Sequence, residues 1–380
     1  MKVGDVVHGF QVKEVEHIEF FDINAFKLEH EATGARYLHL DCQDMDNAFA
    51  VLFRTPPDDH TGKPHILEHL ATCGSAKYPV RDPFFNMIKR SMNTYMNAWT
   101  GSDFTMYPFS TQNAQDFRNL LSVYLDMGFF PRLDPMDFTQ EGHRLEFKEW
   151  NDPATELERK GVVFNEMKGA MSNPEDAFMH RINENLFRKA QYRFNSGGEP
   201  KHIPELEYKD LKAFHEKYYH PSNSTFLSYG DLDFTRHLEF ISKEVMPKYQ
   251  RNEAAVKASD IPLEDRLREP INRETRFMPD LTGEADLQTK LGITYLANQA
   301  AADPYESFCM QVLATLLMEG PNSPFYKKII EAGVAPNFCP GAGYDGSTKE
   351  ATFTMGVQGV KLEDVRACEE ALYSTLKEVA

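Results

Sequence analysis

PHILEHLATCGSAKYPVRDPFFNMI, residues 64–88, has a faint echo in FCMQVLATLLMEGPNSPFYKKII, residues 308–330, and the likeness of these two stretches decides the fold. Each copy reads as a strand, a helix, an aromatic-rich helix and then a hairpin, so one scaffold is used twice. In register, His65 faces Phe308, Glu68 faces Gln311 and His69 faces Val312. Polar groups therefore occupy these helix positions in the first copy alone, and the second copy reads as an inert duplicate. Where one copy carries Phe and Val the position is expected to be core, so an imidazole or carboxylate there needs a compensating partner.

Working outward, AFKLEHEATGARYLHLDC (25–42) predicts a hairpin around Thr33-Gly34, and AFAVLFRT (48–55) a strongly apolar strand. Helical periodicity follows near 63–73, 83–92, 114–127, 138–148, 157–172, 176–189 and 208–218, and TFLSYGDL (225–232) restores a strand. Residues 251–280 are charged and aperiodic, which predicts a linker between a domain over 1–250 and a second over 281–380. The last stretch, KLEDVRACEEALYSTLKEVA (361–380), puts Val365, Cys368, Ala371, Leu372, Leu376 and Val379 on one helical stripe and stops without Gly or Pro. The second domain is accordingly expected to be truncated.

Composition excludes some functions. A net charge of −17 over 380 residues repels phosphate backbones, and no Lys/Arg run offsets it locally, so no nucleic-acid partner is expected. The five cysteines are odd in number and contain no Cys-x-x-Cys pair, which suits a reducing compartment and argues against a cysteine-based zinc site. No apolar stretch approaches the length of a membrane span, and the N-terminus shows neither a signal core nor an Arg-rich presequence, so no membrane partner is expected. The Asn223-Ser224-Thr225 sequon is read as incidental.

The first copy carries the chemistry. In His65-x-x-Glu68-His69 the two histidines lie one helical turn apart. Rotations of about −60° to Glu68 and about +40° to His69 place all three side chains within an arc of about 100°. Pro64 in the first turn defines the helix start, while Ile66, Leu70 and Cys73 form the adjoining apolar stripe. Two imidazoles and one carboxylate make a catalytic rather than structural zinc set, because the fourth position stays open. The third ligand is expected from ELERKGVVFNEMKGAM, where Val163, Met167, Ala170 and Met171 mark an apolar stripe and Glu166 falls on its edge. Glu156 and Glu158 precede that stripe and read as solvated acids. Glu68 is then free to act as general base, since coordination would consume its basic lone pair.

With these residues the chain resembles the pitrilysin/insulinase family of metallopeptidases, whose inverted His-x-x-Glu-His motif sets the catalytic Glu beside the second His. MNTYMNAWTGSDFTMYPFSTQN, LLSVYLDMGFFPRLDPMDFTQEGHRLE, KGVVFNEMKGAM, SGGEP and GPNSPFYKKIIEAG are similar to its presequence protease and falcilysin branch, as is the long separation of His69 from Glu166. The resemblance implies an α+β fold of two homologous domains, each an antiparallel sheet backed by helices. It implies Zn2+ as cofactor, unfolded peptides such as targeting presequences as substrates, and a C-terminal half, fused or separate, that completes a clamshell chamber. It also implies that Asn97, Ala98, Trp99 and Thr100 form an edge strand on which an extended peptide lies by β-augmentation. A mitochondrial matrix location follows from the resemblance, and a cytoplasmic one if Met1 is the native start. The alternative within the family is a non-catalytic structural or processing subunit.

Overall fold

The computed structural model describes residues 1–280 and 282–380; the expected start of the second domain, at 281, lies outside the described residues. In chain order, β1 (Val6–Val7), β2 (Phe10–Ile18), β3 (Ile23–His30), β4 (Arg36–Asp41) and β5 (Asn47–Arg54) lead to α1 (Lys63–Thr72) and α2 (Pro83–Arg90). Next come β6 (Asn93–Met96), β7 (Trp99–Thr100), β8 (Phe104–Thr111), α3 (Ala114–Phe129), α4 (Pro135–Glu141), β9 (Arg144–Phe147), β10 (Leu157–Lys160) and α5 (Val162–Ala170). They are followed by α6 (Pro174–Leu186), α7 (Tyr208–Tyr218), β11 (Ser224–Gly230), α8 (Phe234–Glu244) and α9 (Glu253–Ala258). The chain ends with β12 (Thr289–Gln299), α10 (Pro304–Met318), β13 (Asn337–Phe338), β14 (Gly343–Asp345), β15 (Glu350–Val360) and α11 (Val365–Val379).

Two compact units result, one of residues 1–167 and 195–260 and the other of 168–194 and 261–380. Set beside the expected division, residues 168–194 fall in the second unit, 251–260 in the first and 261–280 in the second. The expected linker is tied into the second unit by carboxylates. Glu264 accepts the backbone N–H groups of Lys189 and Ala190, each at 2.6 Å, and the buried Glu350 accepts the Glu264 N–H at 2.6 Å and Arg266 Nη1 at 2.7 Å. Backbone donors met by side chains let an aperiodic segment follow a fixed course.

The first unit is built on a nine-stranded sheet in the order β1-β2-β3-β4-β11-β5-β8-β6, with β7 also paired to β8. Pairing is antiparallel except between β4 and β11. β11 alternates buried and half-buried residues, as a strand between two layers does. Its Phe226 is fully buried, within ring-contact distance of Tyr37, Phe49 and Phe129. α3 lays Phe117, Leu120, Leu121 and Tyr124 into the same core. Asn223, just before β11, is fully buried, and its amide bonds the carbonyls of Arg54 and Tyr218 at 2.8 Å each; the sequon is a core polar anchor inaccessible to glycosylation in the folded chain.

In the second unit β12 pairs antiparallel with β15, as β5 does with β8, and β13 and β14 lie on the other side of β15, as β6 and β7 do on β8. The echo in the sequence is thus a repeat of topology, and the α+β class with helix-backed antiparallel sheets holds. One expectation fails. Phe308 and Val312 are not core, being 65% and 41% exposed, because α10 turns Ala314 and Met318 inward instead.

Helical periodicity also misreads the region after α4. Residues 144–147 and 157–160, expected within helices, form the antiparallel hairpin β9–β10. Cross-strand ion pairs favour it: Glu146 meets Arg144 Nε at 2.9 Å and Lys160 Nζ at 3.4 Å. The apolar stripe of the shortened α5 is Val163, Phe164 and Met167; Ala170 is exposed, and Glu158 lies on β10 rather than in a first helical turn.

Three imidazoles of the first unit, His39, His215 and His237, are pushed down to about 4, in each case chiefly by burial. Their folded pKa values lie below the unfolded value near 6.5, so the unfolded chain binds more protons between those limits. Stability is therefore complete above about pH 6.5 and is lost as pH falls towards 4. Denaturant unfolding of the metal-free chain is expected to show a loss of about 2 kcal/mol per imidazole between pH 7 and pH 5. An unchanged stability over that interval would contradict the neutral burial of these side chains.

Candidate metal centre

α1 begins at Gly62, whose φ of 76° is left-handed, and Pro64 occupies the first turn. Glycine is required at 62 for space as well: a Cβ there would stand 2.6 Å from the Gly197 carbonyl oxygen. The SGGEP turn, to which the sequence gave no chemistry, therefore packs on the start of the motif helix. Ile66, Leu67, Leu70 and Ala71 bury the opposite side of the helix and fix its rotation.

That rotation aims two imidazoles at one carboxylate. His65 Nε2 and His69 Nε2 lie 3.7 Å and 3.6 Å from Glu166 Oε2 on α5. The His65 and His69 rings are 4.9 Å apart at their centroids and inclined by 79°. One ligand atom from each of the three residues lies within 4.8 Å of the other two, and no other such group of His, Cys, Asp or Glu occurs among the described residues. Glu166 is half exposed rather than set against the core as its stripe position suggested; Val163 and Met167 take the buried side.

Glu68 stands outside this triplet. It is 8% exposed, and Thr100 on β7 donates its hydroxyl to Glu68 Oε2 at 2.5 Å. Burial raises its pKa and the Glu166 charge adds to this, while the Thr100 hydroxyl and His69 oppose it. The two histidines diverge. Burial, followed by the neighbouring His69 charge, lowers His65 to about 4, against a smaller opposing effect of the Gly197 backbone. Burial also lowers His69, but Glu141, Glu68 and Glu166 outweigh it and the net shift is upward. A neutral His65 presents an imidazole lone pair, and three carboxylates crowd around His69, so the pocket has the donor set and charge that suit a divalent cation.

Glu141 was missed in the sequence reading. It is the last residue of α4, and its Oε2 lies 3.0 Å from His69 Nδ1. Cys73, the cysteine nearest the motif, is excluded as a donor: its buried thiol bonds the His69 carbonyl oxygen, and burial pushes its pKa far up.

The expected peptide-binding stretch lies at the end of the sheet, where β6 and β7 flank β8. Trp99 and Thr100 are strand, and Asn97 and Ala98 form the break between β6 and β7. The Asn97 N–H bonds the Pro108 carbonyl at 3.1 Å, and its own carbonyl accepts from Tyr124 Oη at 3.3 Å. The Asn97 side chain takes the Ala98 N–H at 2.9 Å, and Trp99 is 47% exposed with its ring edge-on to Tyr95. Of the four residues, Thr100 is the one that reaches the motif, through Glu68.

Comparison with known proteins adds an independent line. The family described as Insulinase (Peptidase family M16) matches residues 54–195, and that described as Peptidase M16 inactive domain matches residues 205–380. The mitochondrial presequence protease of Mus musculus is 47% identical over 379 residues, covering 100% of this chain and 36% of that protein. That of Schizosaccharomyces pombe is 40% identical over 384 residues, covering 100% and 38%. The chain thus spans little more than a third of the length of these curated relatives. In fold it is similar to the crystal structure of pitrilysin, at TM-score 0.66 and 14% identity over 98% of this chain and 38% of that one. It is also similar to a protease from Helicobacter pylori, at TM-score 0.63 and 16% identity over 91% and 78%. No helix among the described residues is long and apolar enough to cross a membrane.

Proposed function

Because the chain belongs to the insulinase family of peptidases, M16, we propose that it is the zinc-binding N-terminal portion of an endopeptidase that degrades unfolded peptides. His65, His69 and Glu166 would hold the metal, and Glu68 would act as general base. The observation that carries this reading is the convergence of three donor atoms from α1 and α5, with a buried fourth acid beside them but outside the triplet.

Zinc, when bound, would polarise a peptide carbonyl and acidify water. The remaining work belongs to the chain. Glu68 takes a proton from the attacking water and passes it to the leaving amine. Thr100 holds one oxygen of Glu68 and leaves the other free for that proton. A peptide laid along the Asn97–Thr100 edge would be gripped through its backbone, so affinity depends little on sequence, as degradation of varied peptides requires. The second unit repeats the scaffold without the donor residues and is assigned a non-catalytic role. The length of the relatives supports a C-terminal portion that completes the enzyme, and their names support a mitochondrial location.

Metal analysis tests the site. The chain is expected to carry one zinc, lost in His65→Ala, His69→Ala and Glu166→Gln because an open site with two remaining ligands binds weakly. Full occupancy in Glu166→Gln would show that the third ligand lies elsewhere.

A further inference from the structure

His65 and His69 are held differently. Among the described residues His65 Nδ1 is buried without a hydrogen bond of normal geometry, beside the Gly197 backbone. His69 Nδ1 instead faces Glu141 Oε2 at 3.0 Å. Glu141 is 8% exposed, and its other oxygen accepts Gln140 Nε2 at 2.9 Å. Gln140 in turn accepts Arg81 Nη2 at 2.6 Å, so a chain of three side chains ends on the far face of the His69 ring.

A neutral imidazole has one N–H to place, and an ionised carboxylate can only accept. Glu141 therefore draws the proton to Nδ1 and leaves the lone pair on Nε2, the nitrogen that points at Glu166. We propose that Glu141 is a positioning residue for the metal centre, fixing the tautomer and orientation of His69, with Gln140 and Arg81 steadying the carboxylate. The proposal rests on the zinc reading above. A purely architectural role fits less well, because α4 has its own anchors: Asp134 caps the Met136 N–H, and Phe138 is buried. Removing the carboxylate leaves both in place.

The experiment uses the 380-residue chain, stripped of metal and titrated with Zn2+ against a chromophoric chelator. Glu141→Ala is expected to weaken zinc binding about 10- to 100-fold. Glu141→Gln keeps an acceptor oxygen but loses the charge, and falls between Glu141→Ala and the unsubstituted chain. Asp137→Asn, which removes the same charge one turn earlier on α4, stays within about twofold of the unsubstituted chain. Imidazole nitrogen NMR of the metal-free chain supplies a second readout, with the His69 proton on Nδ1 in the unsubstituted chain and shared between nitrogens in Glu141→Ala. The thermal midpoint of each metal-free variant reports folding, and if Glu141→Ala does not fold, the isosteric Glu141→Gln decides. Zinc binding within about twofold of the unsubstituted chain in the deciding variant, or an equal loss in Asp137→Asn, overturns the proposal. If the unsubstituted chain binds no zinc, or binds it equally after His65→Ala, the zinc reading itself fails, and the role of Glu141 with it.

Discussion

Glu68→Gln is expected to keep zinc and to lower peptide hydrolysis by roughly two to four orders of magnitude in any active assembly that contains this chain. The amide has the shape of the carboxylate and can still bond the Thr100 hydroxyl, so the local structure survives. It lacks the basic oxygen that accepts a proton from water. Metal content and turnover measured on the same preparation separate the two roles. Loss of metal would make Glu68 a ligand, and turnover near that of the unsubstituted protein would end the general-base assignment.

The second large effect concerns the chain on its own. If the site is completed by a C-terminal portion, the isolated chain is expected to bind zinc and bind peptides weakly, and to cleave them poorly. An open site admits water and lacks donors for the developing oxyanion, and each missing donor costs roughly two to three orders of magnitude in turnover. A quenched-fluorescent peptide assay, run with and without a purified C-terminal portion of the same gene product, reads this directly. Glu68→Gln serves as the control for contaminating protease. Recovery on mixing supports complementation; robust Glu68-dependent cleavage by the isolated chain would show that its own residues complete the site.

The chemistry of the centre was legible because it is local. His65, Glu68 and His69 share one helix, and helical geometry alone sets their directions. Glu166 was found from a stripe that the structure redraws: the segment before it is a strand, and the carboxylate stands half exposed at the mouth of the site rather than against the core. Its position near the histidines depends on how α5 is packed, which periodicity along α5 does not encode. Glu141 was invisible for the same reason, since nothing in FTQEGHRLE marks one acid as the partner of a histidine on another helix. Phe308 and Val312 show the opposite error, in which an apolar residue at a helix position was taken for a buried one. The hairpin β9–β10 was lost because its charged residues satisfy a helical period as easily as a strand's alternation; the cross-strand ion pairs that decide the matter are tertiary.

The place of β11 in the first sheet has a consequence for biosynthesis. β4 ends at Asp41 and β5 starts at Asn47, yet the two are not neighbours, because residues 224–230 lie between them. While the ribosome works through the first two hundred residues, the nascent chain can form β1–β4 and β5–β8 as separate sheets, each with an unsatisfied edge. They join only when β11 has emerged and threaded its parallel and antiparallel ladders at once. Closure over so long a loop is slow, and two exposed edges waiting for one late strand invite pairing with other chains. The metal helix hangs on the second of these sheets, so the strand that joins them governs when the centre gains a complete scaffold.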